Sequence, residues 1–73
     1  MLHTMTDNQK LGAYIRTARK QSGVSLPALA VQAGISKGLL SRIERGMGNP
    51  SWTTLLSIGH AMGETVAFGK LKG

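Results

Sequence analysis

Apolar residues recur along this chain at helical spacing. Leu11, Ile15 and Ala18 follow one another at steps of four and three, which puts them on one face of a helix. Leu29, Ala30 and Ala33 form a second such group, Leu40 and Ile43 a third, and Leu55, Leu56, Ile58 and Met62 a fourth. Each group carries the same punctuation. Thr6, Ser25, Ser36 and Ser51 stand where an N-cap oxygen is needed, and Gly23, Gly34, Gly46 and Gly63 stand where a helix can end in the left-handed conformation.

Four helices follow from this pattern. Thr6 with Gln9 reads as a capping box opening a helix that ends near Ser22. Pro27 fits the first turn of the next, where its missing N–H has no intrahelical partner to lose, so that helix runs from Leu26 to about Ala33. Ser36 opens a third, running to about Arg45, with Leu40 and Ile43 inward and Gly38, Ser41, Arg42 and Arg45 on the opposite side. Met47 to Pro50 reads as a loop, and Ser51 caps a fourth helix whose Trp52 is expected at the margin of the core. Past Gly63, residues Thr65 to Phe68 read as a short strand, a fifth helix or a loose end, and a strand there would need a partner such as a second copy of the chain. The fold class is all-α, a compact bundle of four to five helices, with a short C-terminal strand left open. Without internal repeats, low-complexity tracts or linkers, residues 1–73 read as a single domain, with paired helices at about 25–46 and a candidate dimerisation tail at 64–73.

Length and composition narrow the classes. A chain of 73 residues buries only about 60% of the surface its unfolded form exposes, so its stability is expected to be marginal. With no cysteine, neither disulfides nor thiolate metal sites are available, and a cytoplasmic location is expected. Met1 to Lys10 is polar where a secretion signal needs an apolar run, and no stretch is apolar enough to span a bilayer, so no membrane partner is expected. Nine Lys and Arg against three acids give a formal charge of +6, which favours a polyanion as partner.

Catalysis is disfavoured by the same inventory. His3 and His60 are far apart, and Asp7, Glu44 and Glu64 are scattered, so there is no paired acid and base and no metal-ligand set. Gly46 and Gly48 resemble the start of a phosphate-binding GxGxxG, but they follow a helix and lack the third glycine. The chain is expected to be neither an enzyme nor a cofactor carrier.

The central pair of helices has a specific geometry. Ala30 is small where a second helix crosses, Gly34 supplies a positive φ, Ile35 fills the corner, and Leu40 and Ile43 fasten the second helix to the first. This is the arrangement in which one helix braces another against the DNA major groove.

The stretch LPALAVQAGISKGLLSRIERG strongly resembles the helix-turn-helix of the Cro and phage-repressor-like (XRE) family. GAYIRTARKQSGVS resembles that family's first helix and NPSWTTLLSIGHAMG its fourth, so the likeness covers about Gly12 to Gly63. The resemblance implies a lambda-repressor-like fold and a transcriptional regulator, usually a repressor, that binds operator DNA as a homodimer. By the same resemblance, Lys37, Gly38, Leu39 and Arg42 occupy recognition positions facing base edges or nearby phosphates, flanked by Ser36, Ser41 and Arg45. Arg42 is the first candidate for a base, since its fork can donate two bonds to guanine. Gly38 departs from the side-chain-bearing residue common there. Ser25 and the amides that open the second helix match a phosphate clamp, but Leu26 stands where many relatives carry Gln, so only a backbone contribution is retained. Asn49 and Ser51 match a second phosphate-contacting region, although capping alone would explain both Ser25 and Ser51. Arg19 and Glu44 match an interhelical ion pair and are read as structural, because an acid facing phosphate would repel it.

Two other readings stay open on the sequence. One is an interaction module of the antitoxin type, which grips a toxin or other protein as well as DNA. The other is a helical protein that binds RNA or polyanions without sequence preference.

Overall fold

The computed structural model describes residues 4–63. Four α-helices make up the described chain: α1 Asp7–Gln21, α2 Leu26–Ala33, α3 Lys37–Glu44 and α4 Trp52–Ala61. The strand, fifth-helix and dimerisation-tail expectations for residues 64–73 lie outside the described residues.

All four N-termini are closed by the expected side chains. The Oγ atoms of Ser25, Ser36 and Ser51 accept from the amides of Ala28, Leu39 and Thr54 at 3.0–3.2 Å. At α1 the box is reciprocal: Gln9 N donates to Thr6 Oγ1 at 3.1 Å and Thr6 N to Gln9 Oε1 at 2.9 Å. Gly34 takes φ +72°, which lets its amide and that of Ile35 turn back to the carbonyls of Val31 and Ala30. A residue with a β-carbon would resist that conformation, and the turn between α2 and α3 depends on it.

The helices pack α1 on α3, and α2 on both α3 and α4. Their shared core is Ile15, Leu29, Ala30, Ala33, Leu40, Ile43 and Ile58, with Leu11, Ile35, Leu55 and Met62 closing its edges. Each fully buried aliphatic side chain contributes roughly 1.5–3 kcal/mol relative to exposure. Gly12 is buried where α1 crosses the end of α3, and a β-carbon there would collide with the carbonyl oxygens of Ile43 and Glu44. The two helices therefore meet backbone to backbone. Trp52, expected at the margin of the core, is 44% exposed. As the first residue of α4, it stands at the end of the helix farthest from Ile58, which is fully buried.

Candidate nucleic-acid interface

The buried face of α3 fixes what its other face presents. Leu40 and Ile43 are 0% and 3% exposed in the core shared with α1 and α2, while Lys37, Gly38, Leu39 and Arg42 are exposed. Leu39 is an apolar exception on this polar face, with 39% of its surface exposed. An added β-carbon at Gly38 would meet nothing within 4 Å.

Between α3 and the loop that follows it lies an open notch of about 450 Å³. Ser36, Gly38, Leu39 and Arg42 line one side, and Met47 and Asn49 the other. Ser41 and Arg45 are placed differently. They open with Arg16 and Leu26 onto a separate notch of about 220 Å³, on the side of α3 toward α1 and the start of α2. The outer face expected of α3 is thus divided: Gly38 and Arg42 flank one notch, Ser41 and Arg45 the other. What divides it is the neighbour each side chain meets, the loop after α3 on one side and α1 with the start of α2 on the other. Ser41 is half-buried, whereas Lys37, Arg42 and Arg45 are exposed.

Behind the second notch, Arg19 of α1 meets Glu44 of α3. Arg19 Nε donates to Glu44 Oε2 at 2.6 Å and Nη2 to Oε1 at 3.0 Å, a two-pronged pair with both residues 8% exposed. Nη1 of the same guanidinium donates to Val24 O at 3.0 Å, so one side chain ties together α1, α3 and the start of the α1–α2 connection. The hydrogen bond to Glu44, helped by its charge, outweighs burial and raises the guanidinium pKa further above its already high ordinary value. With Glu44 buried and paired, its carboxylate faces Arg19 and not the exposed face of α3. No group of three or more metal-ligating side chains occurs among the described residues. No described helix is long and apolar enough to cross a membrane.

The sequence reading missed the contacts that α1 makes with the loop after α3. Asn8 Nδ2 donates to Gly48 O at 2.9 Å. A β-carbon at Gly46 would fall 2.7 Å from the Cα of Gln9, so the chain passes directly over the first turn of α1. Only the glycines themselves signalled such close approaches.

A short bracing helix, a glycine turn and a second helix with a buried inner and a basic outer face define a helix-turn-helix domain. The chain belongs to the helix-turn-helix domain family, of the Cro and phage-repressor-like kind: the family model described as "Helix-turn-helix domain" matches residues 10–67. Among curated relatives, it is 37% identical to the HTH-type transcriptional regulator SlrR of Bacillus subtilis, over 86% of this chain and 48% of SlrR. Among solved structures, it is similar to the clp gene regulator ClgR of C. glutamicum, with 35% identity, a TM-score of 0.87, and coverage of 99% of this chain and 92% of that one. It is also similar to SinR, the master regulator for biofilm formation, solved in complex with DNA, with 38% identity, a TM-score of 0.72, and coverage of 77% and 90%. The chain spans 36–57% of the length of the curated relatives it matches, which are all described as HTH-type transcriptional regulators and not as enzymes.

Proposed function

We propose that this chain binds operator DNA sequence-specifically as a homodimer and acts as a transcriptional repressor. The observation that carries this reading is the exposed set Lys37, Gly38, Leu39 and Arg42 on a helix whose inner face is locked into the core. Likeness to SinR, a protein solved in complex with DNA, supports it. In this reading α3 enters the major groove, Arg42 reads a guanine edge, and Lys37 contacts a base or a phosphate. Ser25 and the first amides of α2 meet one stretch of backbone phosphate, and Asn49 and Ser51 another. Arg45 and Ser41, on the other side of α3, add contacts that fix register without reading sequence.

A single recognition helix covers too few base pairs for useful selectivity, which is the argument for two copies on a two-fold site. Selection of bound sequences from random duplex DNA at near-physiological salt tests the proposal. The expected product is a palindromic site whose half-sites lie about 10 bp apart, both protected in footprinting. Absence of any enriched sequence, or full affinity for one asymmetric half-site, would overturn it.

A further inference from the structure

We propose that Asn8 of α1, acting through Gly48, positions Arg42 for base discrimination. A side chain outside the helix-turn-helix then sets how sharply the base under Arg42 is read. The inference rests on the reading of Arg42 as a base-contacting residue.

Three observations carry it. First, the loop after α3 is folded back on its own helix, with Met47 N donating to Arg42 O at 2.8 Å and Gly46 N to Ile43 O at 3.0 Å. Second, α1 holds the loop from beneath. The hydrogen bond from Asn8 to Gly48 O bridges 40 positions of sequence, and Gly46 lies against Gln9, itself fixed by its bonds to Thr6. Third, the Arg42 guanidinium lies beside Gly48, with room for no more than a β-carbon between them. A β-carbon built there would sit 3.6 Å from Nη2 and 3.9 Å from Nε, ordinary contact distances. The positive φ of Gly48, +77°, shapes this shelf, and Asn8 holds its carbonyl.

The physical consequence concerns freedom lost on binding. An exposed arginine samples many rotamers, and every rotamer excluded beforehand is one that binding need not freeze out. A guanidinium that reads guanine through two parallel bonds also needs its plane set, so a displaced shelf weakens discrimination more than general attraction. Asn8 thereby acts on sequence preference, whereas a residue that only supported the fold would alter binding to all sequences alike.

The test compares wild type, Asn8→Ala, Arg42→Ala and the double variant on the selected operator. Each is assayed against operators altered at the pair under Arg42 and against a scrambled duplex. Asn8 lies outside the core, so Asn8→Ala is expected to fold and to melt a few degrees below wild type for the loss of one exposed hydrogen bond. Its affinity for the best site should fall roughly 3- to 10-fold, the loss expected when one rotamer-rich side chain must be frozen on binding. Discrimination at that pair should shrink by a similar factor, while binding to scrambled DNA stays within about twofold. In the Arg42→Ala background, Asn8→Ala should change discrimination no further. Wild-type discrimination in Asn8→Ala, or equal weakening on all duplexes, would overturn the inference. Unchanged preference in Arg42→Ala would overturn it together with the base-reading role of Arg42. Failure of the DNA-binding reading itself would be distinct, visible in the wild-type chain as absence of any sequence preference.

Discussion

At the scale of single residues, burial decides which charges matter for stability. Arg19 and Glu44 are buried together, so removing one partner leaves the other charge unpaired and largely shielded from water. Glu44→Ala is expected to cost about 3–5 kcal/mol in chemical denaturation. A paired replacement by apolar residues, Arg19→Met with Glu44→Leu, should recover most of that loss, because no orphan charge remains. The exposed cations behave differently. Arg42→Ala should cost roughly 1–3 kcal/mol of binding per half-site and relax preference at one base pair, whereas Lys37→Ala should weaken binding to all duplexes alike. Competition assays against operator and scrambled DNA separate the two. An Arg42→Ala protein with wild-type preference would remove this residue from direct readout.

Among the helices, α1 and α3 meet backbone to backbone at Gly12. Gly12→Ala illustrates two opposed effects. Alanine is favoured over glycine inside a helix by up to about 1 kcal/mol, but here its methyl group meets two carbonyl oxygens of the neighbouring backbone. Backbone cannot swing aside as a flexible side chain can, and overpacking typically costs 1–3 kcal/mol or more, so net destabilisation of about 1–2 kcal/mol is expected. A denaturation midpoint at or above wild type would show that α1 and α3 can separate without penalty. This contact also marks the limit of what sequence conveys. The helix ends were legible, because a cap requires a hydroxyl and a glycine at fixed local offsets, and Thr6, Ser25, Ser36, Ser51 and Gly34 all supply one or the other. The inner faces were legible from spacing alone. Contacts made only when elements cross were not, among them Asn8 on Gly48 and Gln9 beneath Gly46. The division of the outer face of α3 between two notches escaped for a related reason: α1 and the loop, not the periodicity of α3, decide which neighbour each side chain meets.

For the whole molecule, charge and size set the expectations. Arg19 and Glu44 are buried as a pair, which leaves the formal charge of +6 to the other basic residues against the two remaining acids. Binding to DNA should then weaken steeply with salt. If each protomer engages about three to five phosphates, a dimer loses roughly 10³–10⁵ in affinity between 50 and 200 mM salt. Arg45→Ala should lower the slope of log affinity against log salt by about 1 per contact removed, a change read directly from a salt titration. A slope unaltered by this substitution would place Arg45 off the phosphate path.

Gly38 has a bearing on how such a protein can change. It stands in the first turn of α3 in ordinary helical backbone, and a β-carbon there would touch nothing. Gly38→Ala should therefore stabilise the fold, by about 0.4–1 kcal/mol, and raise the melting temperature by roughly 2–8 °C. The opposite response at Gly12 makes the two glycines a matched pair for one calorimetric comparison. Because bulk at position 38 is free of folding cost, a longer side chain such as Gln can be installed there to add a hydrogen-bonding group beside Lys37 and Leu39. The position is a vacancy for retargeting: operator preference can drift or be engineered through it while the core that carries α3 stays unchanged.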